Sequence, residues 1–328
     1  MIRAAALLLL LAALLAGALH LALTTAMEGQ GDAVVEIAAG SSARAVGRTL
    51  HEAGLVAHPL LFEMEARFTG RARTIHAGEY RIPRGLSVRQ VAGILAGGKT
   101  ILHRVTVPEG LTIAETAAVM AKAGIVGAQE FLLAASAAAR GAPAWLGGVD
   151  SLEGFLFPET YSFPKRVPPG EIIAAMLAMF RSKASVVLPP EVMADPARMR
   201  ATVTLASIIE KETGAPEERP LIASVFVNRL ARGMPLQSDP TVIFAIPGFG
   251  GNLRKSDLAL DSPYNTYRRR GLPPGPIASP GAGSLSAAVN PAPADYLYFV
   301  SRNDGSHQFS TTLAEHNAAV RRYQLAAK

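Results

Sequence analysis

No cysteine occurs among the 328 residues. Disulfides, a thiolate nucleophile, Cys-ligated zinc, iron–sulfur clusters and a lipidated N-terminal cysteine are thereby excluded. Metal-binding patterns are also missing. HExxH is absent, and His307, Glu315 and His316 form the one tempting group, which reads as structural, so neither metal nor cofactor is expected. The glycines within residues 247–251 lack the lysine and helix of a phosphate loop. Tryptophan is limited to Trp145, and charged residues make up only 18% of the chain against 49% hydrophobic. Such a composition supports a packed core and argues against global disorder. The net charge of +6 suits an anionic polymer or a membrane surface, and equally a mildly basic solvated exterior. The run Arg268–Arg270 reads as solvated surface, with an anionic lipid or wall polymer as the alternative, and no nucleic-acid partner is expected.

What the chain has in excess lies at its start. Residues Ala4–Leu23 are nearly all Ala and Leu, with His20 the sole polar interruption. About 20 apolar residues span a bilayer, whereas a cleaved signal peptide has a shorter apolar region of about 7–15. The spacing predicts a single-pass anchor over residues 1–27, with cleavage at Ala16-Gly17-Ala18 as the alternative. Arg3 is the one basic residue before the run, while Glu28 and Asp32 follow it. The positive-inside rule then leaves the N-terminus in the cytosol and the body outside it.

Residues 28–126 carry a repeat. VEIAAGSSARAVGRTLHEAGLV from Val35 resembles VTVPEGLTIAETAAVMAKAGIV from Val105, and YRIPRGLSVRQVAGILAGG from Tyr80 repeats the middle. Each copy predicts a short strand, a Gly turn, a Ser or Thr cap and an amphipathic helix. These modules loosely resemble a LysM-like glycan-binding region, and a purely structural stalk is the other reading. Residues 127–150, rich in Ala and Gly, read as a connecting segment. The composition changes at Ser151, where SLEGFLFPETYSFP begins, and a second domain is expected over 151–328. The fold class is α+β: a transmembrane helix, LysM-like α/β modules, then an α+β domain.

The chemistry centres on LASIIEKETG, Leu205–Gly214, which ends a helix that begins after Asp195-Pro196. Residues three and four apart share a helix face. Glu212 therefore continues the stripe of Leu205, Ile208 and Ile209, whereas Glu210 sits over Ala206 and Ser207. A carboxyl group against isoleucines loses hydration when it ionises, so its pKa rises, as a general acid requires. Glu212 is accordingly the candidate acid. Downstream, LQSDPTVIFA carries a Ser-Asp-Pro turn, and SPYNTYRRRGLPPGPIASPG places tyrosines and amides on a rigid loop suited to sugar rings. DYLYFV and HQFST flank an Asn303-Asp304-Gly305 turn and predict a hairpin, and Thr312 with Glu315 predicts a capped last helix.

Taken in order, ASIIEKET, ASVFVNRLARGMPLQSDPTVIFA, YNTYRRRGLPPGPIASPG, SLSAAVNPA, YLYFV and the closing EHN resemble the endolytic murein transglycosylases, the YceG-like family. The resemblance covers nearly the whole chain. It implies a lytic transglycosylase (a lyase) acting on nascent peptidoglycan strands at the outer face of the inner membrane. The body would be periplasmic, with cell-wall synthases or division proteins as partners. It implies Glu212 as the catalytic residue. It places Gln237, Asp239, Tyr264, Asn265, Thr266 and Tyr267 in the substrate cleft, and Glu153 in a further family motif. Phe244 stands where a second tyrosine often follows in the family, and AIPGFGG after it also diverges. Two other readings stay open: a muramidase hydrolysing the same bond, with Asp239 or Glu153 as second carboxylate, and a non-catalytic membrane-anchored glycan-binding scaffold.

Overall fold

The structure is a computed structural model that describes residues 2–38, 40–165 and 167–325. Its elements run α1 (Ile2–Thr24), β1 (Asp32–Ile37), α2 (Ala43–Glu52), α3 (Pro59–Phe68), β2 (Gly78–Pro83), α4 (Val88–Ala96), β3 (Leu102–Thr106), α5 (Ile113–Lys122) and α6 (Ala128–Arg140). They continue with β4 (Thr160–Pro164), α7 (Pro169–Val187), α8 (Pro190–Ala194), α9 (Pro196–Glu212), α10 (Arg219–Ala231), α11 (Asp239–Ala245), α12 (Ala282–Val289), β5 (Tyr298–Ser301), β6 (His307–Ser310) and α13 (Leu313–Val320). Two units form: residues 1–104 with 162–167, and residues 105–161 with 168–328. This is a mixed α+β chain.

In the first unit β1 pairs antiparallel with β2, Val35 opposite Tyr80. Strand side chains alternate between faces, so Ala33, Val35 and Ile37 turn inward, onto Leu50, Phe62, Ile82, Val91 and Leu95. The apolar helix α1 is the one helix among the described residues long and apolar enough to cross a bilayer, and it is almost wholly exposed over its length. Its last two turns are the exception. Leu23 is buried in this unit's core and Leu19 packs against it, where α1 touches α3 and α4.

The repeat expected from the sequence appears as local structure three times. Gly40, Gly85 and Gly110 each take a left-handed conformation, at φ 71°, 78° and 77°. Two residues after each, Ser42, Ser87 and Thr112 accept a bond from the backbone N–H three residues on and start α2, α4 and α5. Such caps satisfy donors that a helix start leaves unpaired. The first two copies lie in the first unit and the third in the second. Residues 127–150 are more than a connection, because alanine is the strongest helix former. They hold α6, with Phe131, Ala135 and Ala139 buried, and Trp145 stacked on Phe180 at 6.0 Å.

The second unit is built on α9. Asp195 caps it by accepting from the N–H groups of Ala197 and Arg198, and Pro196 occupies its first turn. The residues from Val203 to Ile209 are buried, and α9 packs against α8, α10, α11 and α12. Ile208 and Ile209 join Ile222, Phe226, Leu236 and Ile277 in one core. The C-terminal hairpin forms as the sequence suggests, β5 against β6 with Val300 opposite Gln308. Thr312 and Glu315 make the reciprocal capping box of α13.

Gly47 marks a close approach of α2 to the start of α3. A Cβ there would lie 2.6 Å from the Pro59 carbonyl oxygen, which is backbone and cannot rotate away. Gly47→Ala should destabilise this unit by about 1–3 kcal/mol, the usual range for overpacking, despite alanine's better helix propensity. Thermal unfolding of the variant against wild type checks this; an unchanged or higher midpoint refutes the close packing of α2 on α3.

Candidate active site

The last residue of α9 is Glu212, and the helix stops there because Thr213 turns to extended backbone, φ −139° and ψ 140°. The carboxyl group is half-buried and reaches the wall of a cleft of about 470 Å³. Gln237, Asp239, Tyr267, Arg229, Phe299, His307 and His316 also line this cleft. Ser238 Oγ donates a hydrogen bond to Glu212 Oε1 at 2.5 Å. Loss of hydration raises the Glu212 pKa from its ordinary 4.5 to about 7; the Ser238 bond opposes the rise and the neighbouring Asp239 adds to it. At neutral pH the group thus holds a proton in a large fraction of molecules and can both give and take one.

Glu210 is a different kind of carboxylate. It accepts from the Gly281 N–H at 3.0 Å and from Arg219 Nη2 at 3.2 Å. It ties α9 to the start of α12 and to α10 and is committed to the fold. Two positions along one helix therefore separate a carboxylate paired with an arginine from one that is not.

Ser238 is held as firmly as it holds. It is buried, its N–H donates to Thr266 Oγ1 at 3.0 Å, and Thr266 Oγ1 shares a bond with Thr241 Oγ1 at 2.9 Å. Just before it, Gln237 takes φ 52°, a left-handed conformation uncommon for a residue with a side chain. Its N–H donates to the Thr266 carbonyl, which fixes the turn. Asp239 opens α11 and accepts from the Tyr267 hydroxyl at 2.6 Å. Burial and the Asp239 charge push the Tyr267 pKa upward, so its hydroxyl stays a donor.

The candidate residues divide accordingly. Glu212, Gln237, Asp239 and Tyr267 share the cleft. Thr266 is buried and supports Ser238. Asn265 is fully buried, and its amide is used within the chain. Nδ2 donates to the carbonyls of Leu258 and Leu260, and Oδ1 accepts from the Tyr267 N–H at 3.0 Å. Its contribution is to shape the loop that presents Tyr267. Glu153 and Tyr264 line a different cavity, of about 180 Å³, with Phe244 and Arg200. Glu153 is buried there, accepts from the Ile113 N–H, and is pushed up to about 7 by burial.

Two residues that shape the cleft escape sequence reasoning. Ser238 stands inside the Ser-Asp-Pro turn, and only the fold shows that its hydroxyl meets Glu212. Arg229 resembles an ordinary helix-end arginine in VNRLARG. It is buried, its guanidinium donates to the carbonyls of Leu297 at 2.7 Å and Leu236 at 2.8 Å, and it lies over the Tyr298 ring at 5.2 Å. Those bonds fix the cleft wall. His307 is likewise occupied, with Nδ1 and its N–H both on Glu218, and Glu315 serves the α13 cap. Among the described residues no group of His, Asp or Glu side chains is placed to hold a metal ion.

Known proteins match this arrangement along most of the chain. The YceG-like family matches residues 35–322. A Bacillus subtilis (strain 168) protein named endolytic murein transglycosylase is 33% identical over 304 residues, covering 88% of this chain and 84% of that protein. A Streptococcus pneumoniae (strain R6) protein of the same name is 31% identical over 318 residues. That match takes in 87% of this chain but 57% of the longer pneumococcal one. The crystal structure of a YceG-like protein from Listeria monocytogenes aligns with a TM-score of 0.60 at 31% identity, covering 88% of this chain and 99% of that one.

The raised pKa of Glu212 has a thermodynamic consequence that is independent of any substrate. A carboxyl group whose folded-state pKa lies above its unfolded value stabilises the fold fully below about 4.5. That contribution is lost as pH rises through about 7. At about 1.4 kcal/mol per pKa unit, it is on the order of 3 kcal/mol. Glu212→Gln, neutral at every pH, should therefore gain stability relative to wild type at pH 8 and show no gain at pH 4. Denaturant unfolding at both pH values checks this; an equal difference at the two would show that Glu212 ionises freely.

Proposed function

The chain belongs to the YceG-like family, and on that premise we propose that it is an endolytic murein transglycosylase whose acid and base is Glu212. The carrying observation is one carboxyl group, unpaired with any cation, with a pKa near 7, on the wall of an open cleft. Ordinary glycosidases flank the bond with two carboxylates, one of them nucleophile or base. Here a single group does both tasks. Protonated Glu212 gives its proton to the glycosidic oxygen between N-acetylmuramic acid and N-acetylglucosamine. The C1–O bond breaks with an oxocarbenium-like state at the muramic C1. Glu212, now ionised, takes the proton of the 6-hydroxyl of the same sugar, and that oxygen closes on C1 to leave a 1,6-anhydro end. The hydroxyl is tethered to the ring it attacks, and its effective concentration favours it over water.

Asp239 and Tyr267 have a supporting task in this reading. The charge of Asp239 helps keep Glu212 protonated, and the Tyr267 hydroxyl holds Asp239 in place facing the sugar. Gln237 offers an amide to the substrate from the same wall. The presence of Asp239 in the cleft is also what favours the second reading, a muramidase that activates water. Glu153, in its separate cavity, is not its counterpart.

The second unit is then the catalytic part, and α1 is a single-pass anchor in the inner membrane with the body in the periplasm. The capped strand–helix copies act as LysM-like modules that hold glycan strands, and wall synthases or division proteins deliver the nascent strand.

Two measurements test the reaction. Mass spectrometry of products from purified glycan strands should show ends one water lighter than hydrolysis gives; ends of full mass make the enzyme a muramidase. Glu212→Gln should fold, retain glycan binding and lose at least about 10²–10⁴-fold in rate, whereas retained activity removes the assignment. Because the acid must be protonated, kcat/KM should fall as pH rises above about 7.

A further inference from the structure

We infer that the first unit carries a surface, centred on α3, that lies on anionic phospholipid headgroups beside the chain's own apolar helix. The inference rests on reading α1 as a membrane anchor. Its first support is the distribution of charge. Counting histidine as neutral, residues 1–104 and 162–167 hold thirteen Lys and Arg against seven Asp and Glu. The second unit holds nineteen of each. The entire net charge of +6 thus belongs to the unit attached to the apolar helix, and all of its basic residues except Arg3 follow that helix.

The second support is the outward face of α3. Residues four and then three or four apart along a helix share a face. On α3 the outer positions are Leu60, Met64, Arg67 and Phe68, on the side opposite buried Phe62 and Ala66. Leu60 is 49% exposed and Phe68 78% exposed, a large apolar investment on a surface that faces solvent. Single exposed apolar residues are common and need no explanation. Here they form a stripe, and arginines bracket it on both flanks. On one side buried Glu63 anchors Arg67 and Arg44; on the other, buried Glu65 anchors Arg71 and Arg89. Arg73 completes the turn after Phe68. Four arginines lie on two carboxylates, and with Arg73 the group carries a surplus of three positive charges. The buried carboxylates hold the guanidinium groups at the edges of the apolar stripe.

The third support identifies the occupant. α3 touches α1, whose Leu23 is part of the same core. A helix that leaves the bilayer and is packed into the unit within its last two turns holds that unit against the membrane surface. Aromatic side chains favour the headgroup level, Arg stems extend along it, and anionic lipids attract clustered basic residues near a spanning helix. An anionic wall polymer shares the charge complementarity but offers nothing for Leu60, Met64 and Phe68 to bury in.

The test uses the full chain carrying Phe68→Trp and Trp145→Phe, so that position 68 holds the one indole. It is reconstituted in nanodiscs of phosphatidylcholine, alone or mixed with phosphatidylglycerol, with brominated acyl chains as quencher. Blue-shifted emission and quenching at least about two-fold stronger in the anionic discs are expected. Both should decline in high salt and in the triple variant Arg67→Gln, Arg71→Gln, Arg73→Gln. Water-like emission in both lipids overturns the inference, as does equal quenching in both, or protection of the indole by purified wall polymer in preference to lipid. Carbonate extraction separates the premise from the inference. A chain that resists extraction while position 68 stays in water keeps the anchor and sinks the surface. An extractable chain still quenched by anionic vesicles sinks the anchor and keeps the surface.

Discussion

The hydrogen bond from Ser238 to Glu212 is the contact around which the cleft of the second unit is arranged. A carboxyl group at the end of a largely buried helix would, if free to rotate, swing toward water and recover its ordinary acidity. The hydroxyl of Ser238 holds it at the cleft wall instead, in a place where ionisation is disfavoured. That hydroxyl is itself fixed through Thr266 and Thr241. A chain of small side chains, none of which carries charge, thereby positions the carboxyl group proposed as acid and base, while burial raises its pKa against the opposing pull of the Ser238 bond.

Leaving Glu212 without a direct ion pair is the other half of the arrangement, since the charge of Arg229 on the same cleft only partly offsets the rise in its pKa. Arg219 lies on Glu210, and Arg229 directs its donors at backbone carbonyls. Either guanidinium, placed on Glu212, would pull its pKa down and remove the proton at neutral pH. The two glutamates of one helix end thus differ through the company each keeps: Glu210 joins three elements, and Glu212 meets a serine and an open space.

Much of this was legible in the residues themselves. The apolar stripe of α9 pointed to Glu212, the Gly-then-Ser/Thr spacing located three helix starts, and Asn303-Asp304-Gly305 located the hairpin. These features are local, governed by side chains within four residues of each other. What escaped was long-range. Nothing in QSDP says that its serine meets a helix end 26 positions earlier, nor in VNRLARG that its first arginine crosses to the carbonyl of Leu297. Asn265 shows the same limit from the other side, since an amide suited to a sugar proves to be consumed by the carbonyls of Leu258 and Leu260. Residues 127–150 misled through composition, because alanine serves a helix as well as a linker.

The burial of Leu23 in the core of the first unit changes what kind of attachment α1 would provide as the proposed anchor. A leash of glycine and serine would let the attached body wander over tens of ångströms. A helix sharing side chains with the body it carries grants no such freedom, and on the proposed reading of α1 as an anchor the altitude of the first unit above the lipid becomes a fixed dimension of the molecule. Exchange of the leader for an unrelated hydrophobic segment would then remove a keystone from the core as well as change the address.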